Sequence, residues 1–376
     1  MAWSDLTGQD DAIALMRAAA REQTPTHAWL ITGPPGSGRS VIAAAFAAEL
    51  LARPGDERAT QAQVDARTHP DLAVLSTERV VISIDEVRAL VAASQYSPSV
   101  GRFRVVVIED ADRMTERTSN VLLKALEEPP PRTIWVLCAP SDADLVPTIR
   151  SRVRTVRLRT PSVADVADLI ECRDAVPAAD ALRAAREAQS HVGMAHRLAT
   201  DPHARARRAR SLELALGIRT VAGAVAAAAE LLDVAGEDAR AVTEERDARE
   251  REDALRSLGV EPGGTVPPQL RAQIKALEDD QKRRATRSLR DGLDRILIDL
   301  TSLYRDVLLL QLGAGLEPVN AAIAPALEAA ARECGPEHTL AILDALAEAR
   351  ERLEGNVAPA LVLEAALVSA VRPRVA

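Results

Sequence analysis

The chain has 376 residues, a formal net charge of -8, 47% hydrophobic and 27% charged residues, which sets two to three packed domains and excludes both a disulfide-stapled miniprotein and a fully disordered chain. Aromatics are only 2% while alanines number 71, an aliphatic payload that favours packed helices. The acidic balance argues against coating nucleic acid by bulk charge, and three scattered cysteines, Cys138, Cys172 and Cys334, fit a reducing cytoplasmic setting without a disulfide framework.

No run approaches ~18 uninterrupted apolar residues, and Asp5, Asp10 and Asp11 stand where an export signal would be basic and then apolar. No membrane span and no signal peptide are expected. In chain order, Trp29–Thr32 reads as a strand leading through glycines into a helix over Val41–Leu51, and Leu72–Leu75 as a short strand. A helix follows over Ile84–Ala93, capped by Ser83 or Asp85. Arg104–Ile108 and Ile134–Cys138 are apolar runs with β-branched bias, as buried parallel strands should be. Strands separated by helices predict an α/β sheet with phosphate chemistry at the strand carboxyl ends.

From Pro161 the strand signals stop. Short helices are expected over Val163–Ile170, over Ala178–Ala188 and after Gly193. A basic patch of Arg205, Arg207, Arg208 and Arg210 then opens an all-helical region. Within it Leu289, Leu293, Ile296, Leu300, Leu303, Val307 and Leu310 step alternately by four and three, one apolar helix face that serves either a bundle core or an intersubunit seam. The alternating charges of Glu244–Arg256 suit a solvated helix surface, and Gly259–Pro268 reads as a linker or hairpin turn.

Gly33-Pro34-Pro35-Gly36-Ser37-Gly38-Arg39-Ser40 lies between a strand and a helix, the context a phosphate-cradling loop requires. Gly33, Gly36 and Gly38 let backbone N–H groups turn toward phosphates, the helix start adds its dipole, and Ser40 is the Mg2+ ligand candidate. Arg39 stands where lysine is usual. Its planar fork poorly replaces a point-charge contact, although only three of the 47 basic residues are lysines, so compositional drift also accounts for it. The strand Val105–Ile108 ends in Glu109-Asp110, carboxylates poised beside a phosphate-bound metal but in the reverse of the usual Asp-Glu order. Each is displaced by about a methylene, an error that catalytic geometry tolerates badly.

These residues, with Leu6-Thr7-Gly8-Gln9-Asp10, His27-Ala28-Trp29-Leu30, His69-Pro70-Asp71-Leu72, Gly101-Arg102-Phe103-Arg104, Asn120 to Pro129 and Thr148-Ile149-Arg150-Ser151-Arg152, resemble the clamp-loader branch of the AAA+ ATPases. The motifs fill residues 1–160 and thin out by about 200. The resemblance implies a phosphate-loop AAA+ domain with a parallel sheet over 1–160, a small helical lid over 161–204 and an all-α collar for oligomerisation over 205–376. It also implies partners: ATPase subunits of gamma/tau type, a delta-type subunit, the sliding clamp, and primed DNA met through phosphate contacts.

In that family Ser151-Arg152 corresponds to a Ser-Arg-Cys motif whose arginine reaches the neighbouring subunit's ATP; here Val153 replaces the cysteine. The motif is taken to follow the last core strand. A guanidinium supplied in trans stabilises γ-phosphate charge and makes hydrolysis depend on assembly. Relatives often carry a four-cysteine zinc module before His69, but residues 52–68 hold no cysteine, so no zinc is expected and His69 reads as a capping or core histidine. After the second central strand only Ser141 offers a polar group to a γ-phosphate, and the lid's sensor position falls on His196 or Arg197. Two readings follow: a non-hydrolysing ring subunit donating Arg152, with ATP/Mg2+ either bound without turnover or absent, and an active AAA+ ATPase using Arg39 with Glu109 or Asp110. A third, a DNA-binding module using the basic clusters at 150–159 and 205–210, lacks aromatic interleaving.

Overall fold

The computed structural model describes residues 3, 6–77, 81–257, 271–355 and 357–371. The chain divides into two compact units, Met1–Thr200 and Asp201–Ala376. The first opens with α1 (Asp10–Arg21), β1 (Ala28–Thr32), α2 (Arg39–Leu51), α3 (Glu57–Asp65), β2 (Leu72–Leu75), α4 (Ile84–Ser94), β3 (Arg104–Ile108), α5 (Glu116–Glu127), β4 (Thr133–Ala139), α6 (Pro147–Arg150) and β5 (Arg154–Arg157). The strands form one parallel sheet in the order β2-β3-β4-β1-β5. Thr148–Arg152 therefore does not follow the last core strand: β5 comes after it. Arg154-Thr155-Val156-Arg157 buries only Val156 and carries no apolar run to betray an edge strand.

Period-two alternation splits each central strand between two cores. Trp29, Ile31, Val105, Val107, Val136 and Cys138 meet Met16 of α1 and Phe46 and Leu50 of α2, while Leu30, Val106, Ile108, Trp135 and Leu137 meet Val87 of α4 and Leu122 and Leu126 of α5. Burial on both faces is why these strands read as unbroken apolar runs. Ser83, rather than Asp85, caps α4 through a reciprocal box with Glu86.

Asp71, fully buried at the start of β2, organises the loop before β3. Its carboxylate accepts hydrogen bonds from the Ser99, Val100 and Gly101 backbone N–H groups at 2.7, 2.7 and 2.6 Å, and from Arg104 at 3.2 Å. His69 Nδ1 accepts the Asp71 N–H at 3.1 Å, so this histidine is a local cap. Burial alone would raise the Asp71 carboxyl, but the N–H groups of Gly101, Ser99 and Val100 with the Ser99 hydroxyl outweigh it and hold the carboxyl at about 2, against an ordinary 3.8. A depressed folded-state value stabilises the fold fully above pH ~4 and loses that contribution as pH falls toward 2, about 2 kcal/mol in all. Asp71→Asn is therefore expected to destabilise at pH 7, with the gap to wild type about halved at pH 3 in denaturant titrations; an equal gap at both pH values would contradict this.

The first unit ends in α7 (Val163–Asp174), α8 (Ala178–Glu187) and α9 (Val192–Thr200), packed on one another. Ser162 and Asp165 form the capping box that starts α7. The second unit is helical among its described residues: α10 (Pro202–Leu216), α11 (Val221–Ser257), α12 (Arg271–Gln311), α13 (Ala324–Glu333), α14 (Pro336–Glu354) and α15 (Pro359–Val368). The expected turn at Gly259–Pro268 lies outside the described residues. Glu244–Arg256 falls within α11, where Arg251 pairs with Glu278 of α12 at 2.6 Å.

The apolar stripe lies on α12. Leu293, Ile296, Leu300, Leu303 and Val307 are buried in one cluster with Leu231 of α11, Leu346 of α14 and Leu363 of α15, so this stretch is a core of its own chain; Leu289 packs at its margin and Leu310 is 41% exposed. No helix among the described residues is long and apolar enough to cross a membrane.

Candidate functional site

The strand order sets β4 between β1 and β3, so the loop after β1, Ser141 after β4 and Glu109-Asp110 after β3 gather at one sheet edge. Gly33 N–H bonds the Pro140 carbonyl at 3.1 Å, tying the phosphate loop to the end of β4. Gln9 links its other flank to the residues after β5: its amide donates to Arg159 O at 2.7 Å and weakly to Ser37 O at 3.5 Å, and accepts from Arg159 N–H at 3.1 Å.

The loop has the left-handed turns that its glycines allow, with φ of +82° at Gly36 and +94° at Gly38. Both glycines are covered by the chain's own side chains. A carbon added at Gly36 would stand 2.6 Å from His191 Cδ2, and one at Gly38 would stand 2.6 Å from Leu6 Cδ2. The His191 ring is fixed there because its Nδ1 accepts the Met194 N–H at 3.2 Å, capping α9. The Ser37 N–H, which a phosphate would recruit, donates to Pro34 O at 3.1 Å.

The metal corner is equally committed. Both oxygens of Glu109 accept from Arg67 Nη2 at 2.9 Å, and Arg67 holds φ at +56°, a left-handed conformation uncommon for a side-chain-bearing residue. Asp110 lies 3.9 Å from Arg113. Ser40, Arg67 and Glu109 line a small pocket of about 170 Å³ together with Ala44, Ala47 and Val74, beside the loop rather than within it. Arg39 Nη1 and Ser37 Oγ are buried without a hydrogen-bond partner. Burial pushes the Asp112 carboxyl up, with Asp110 adding to the rise and Arg113 and Arg39 opposing it. Burial likewise pushes the Cys138 thiol up to about 12, reinforced by Glu109 and opposed by Arg39, so it is an inert packing group. Glu109, the carboxylate that would stand beside a phosphate-bound metal, is thus engaged by Arg67, while His191 and Leu6 pack against the Gly36 and Gly38 backbone.

Arg152 stands elsewhere. The register pairs Trp29 with Arg154 and Thr32 with Arg157, three residues or about 10 Å of strand, with Gly33 beyond one end and Arg152 beyond the other. The arginine and the phosphate loop thus lie at opposite ends of these paired strands. Arg152 Nη1 donates to Thr148 O at 2.8 Å and Ser151 Oγ at 3.1 Å, Nε donates to Glu127 Oε1 at 2.7 Å, and Nη2 contacts the same Glu127 oxygen. The Arg152 side chain remains 34% exposed.

The other candidates are engaged locally. Ser141 Oγ accepts the Ala143 N–H at 3.2 Å, a cap, and His196 Nδ1 lies 2.7 Å from Asp174 while Arg197 is half-buried. Of the basic patch, Arg207 pairs with Asp238, Arg208 with Asp299 and Asn320, and Arg210 with Glu213 and Glu230, all within the helical unit. Among the described residues no group of three or more His, Cys, Asp or Glu is placed to hold a metal ion. Arg67, His191 and Glu127 were missed from sequence: the first two lie in no motif, and Glu127 sits inside the Asn120–Pro129 motif without a hint of its partner.

A parallel sheet with β1 between β4 and β5, a glycine-rich loop after β1 and an acidic end to β3 is the arrangement of a phosphate-loop α/β fold. Residues 8–162 match the family described as DNA polymerase III, delta subunit. Relatives include DNA polymerase III subunit delta' of Pseudomonas aeruginosa, 39% identical over 135 residues, 34% of this chain and 41% of that protein. The Escherichia coli subunit delta' is 33% identical over 144 residues, 36% and 43% respectively, and the Haemophilus influenzae subunit tau/gamma 29% identical over 163 residues, 42% and 24%. The chain spans under half the length of each of these relatives. Residues 8–162 are thus similar to subunits of DNA polymerase III.

Proposed function

We propose that the chain is a delta'-type clamp-loader subunit of a bacterial replicative DNA polymerase III. It completes a pentameric ring with gamma/tau-type and delta-type subunits in the cytoplasm, turns over no ATP itself, and supplies Arg152 to a neighbouring ATPase subunit while the sliding clamp is loaded on primed DNA. Residues 1–160 serve as the AAA+ domain, 161–204 as the lid and 205–376 as the collar. The observation that carries this reading is the position of Arg152 at the amino end of the strands, opposite its own phosphate loop at their carboxyl ends. An arginine so placed cannot serve its own nucleotide, and in the proposed ring it would face another subunit's. The Arg67 clamp on Glu109 and the His191 and Leu6 cover agree with a silent site in cis.

The purified chain is accordingly expected to show no ATP hydrolysis above background, and Arg39→Lys alone to create none, because the reversed Glu109-Asp110 order is unchanged by it. A steady-state rate near ~1 s⁻¹, in the ordinary lower range of enzymes, would favour the active ATPase instead. Mixing the chain with gamma/tau-type and delta-type subunits is expected to give one complex by size exclusion. Failure to co-elute would overturn the ring assignment.

A further inference from the structure

Arg152 is held at home by contacts of two kinds. Thr148 O and Ser151 Oγ take Nη1 from the segment that carries the arginine. Glu127, the last residue of α5 and 25 positions away in sequence, takes Nε and Nη2 through one oxygen. The Nε–Nη2 edge is one of the two forks by which a guanidinium grips a phosphate bidentately. Glu127 is 46% exposed and Arg152 34%, so the pair is weak enough to exchange: solvent-exposed ion pairs are marginal and salt-sensitive.

We propose that Glu127 is a positioning residue that stores Arg152 and competes with the neighbouring subunit's γ-phosphate for it. This rests on the reading of Arg152 as acting in trans. The Thr148 and Ser151 contacts keep the guanidinium oriented during the exchange, while the Glu127 carboxylate is traded for a phosphate oxygen. No covalent bond changes; one acceptor replaces another on the same two nitrogens. The carboxylate therefore taxes every engagement of the finger, and an assembly gains a threshold: only a well-seated triphosphate outcompetes it.

The test is a cycle in the reconstituted complex with wild type, Glu127→Gln, Glu127→Asp, Arg152→Ala and the Arg152→Ala/Glu127→Gln double variant, following KM for ATP, kcat and salt dependence. Glu127→Gln removes the competing charge and keeps the shape, so KM is expected to fall two- to five-fold with kcat unchanged and with a weaker salt dependence. Glu127→Asp retains a carboxylate and is expected to return KM most of the way to wild type. With Arg152→Ala present, Glu127→Gln should change nothing further. If Arg152→Ala lowers hydrolysis but Glu127→Gln leaves KM unaltered, lowers kcat, or still shifts KM in the Arg152→Ala background, the storage role is overturned while the trans role stands. If Arg152→Ala itself has no effect in an assembled complex, the trans role fails and the storage role with it.

Discussion

Replacing Leu300 by aspartate is expected to unfold much of the helical unit. Leu300 has no solvent exposure, and its cluster joins α10, α11, α12, α13, α14 and α15. Truncating a buried leucine alone costs about 2–5 kcal/mol through lost transfer energy and the cavity left behind. A carboxylate in that space must stay charged without a partner or take up a proton, adding several kcal/mol more. A typical domain has only about 5–15 kcal/mol in reserve, so the sum consumes most or all of it. Circular dichroism is expected to show lost helical signal and a collapsed or strongly lowered melting transition. Leu310→Asp supplies the control on the same stripe: at 41% exposure it should lie within about 0.5 kcal/mol of wild type. Equal melting for both variants would mean that Leu300 is not in a core.

The contrast between those two leucines marks how far the sequence carries. A four-three stripe says that a helix has an apolar face, but not where along it the partners end, because that depends on the lengths and positions of α11, α14 and α15. The central strands were legible for a related reason: with both faces covered, β1, β3 and β4 are apolar without interruption. β5 was not, since an edge strand with one buried residue has no composition of its own. The candidate site divides in the same way. Gly33, Gly36, Gly38, Glu109 and Asp110 advertised themselves because phosphate chemistry demands those types at those strand ends, and they do gather at one edge. Their partners did not, because Arg67 reaches Glu109 across 42 positions and His191 reaches Gly36 across 155. Long-range pairing of ordinary surface-type residues leaves no local pattern. Asp71 lies between these cases: its motif was visible, but its purpose, anchoring Ser99–Gly101 by three N–H bonds, emerges only when the loop is seen folded over it.

Arg152→Ala is expected to leave folding and assembly intact and to lower DNA-stimulated ATP hydrolysis and clamp loading by the reconstituted complex. Folding should survive because everything the side chain touches is at the surface: a half-exposed Glu127, one backbone carbonyl and one serine hydroxyl of its own turn. Losing such contacts costs about 1 kcal/mol or less. Catalysis should not survive at the affected site. A guanidinium supplied across an interface stabilises charge on the transferring phosphoryl group and is worth ~10³-fold or more in phosphoryl-transfer enzymes that use one. Only one site of several loses its arginine, so the drop in total hydrolysis is smaller than that unless the sites fire in concert; clamp loading, which needs a completed cycle, should fall further than hydrolysis. Arg152→Lys is expected to rescue poorly, since a single ammonium cannot reproduce a planar fork that already bonds Thr148, Ser151 and Glu127 in fixed directions. Arg152 and its own phosphate loop lie at opposite ends of paired strands, so a defect confined to the complex does not arise through this chain's own nucleotide site. Unchanged hydrolysis and loading by an assembled Arg152→Ala complex would strip the residue of that role and leave the chain as scaffold alone.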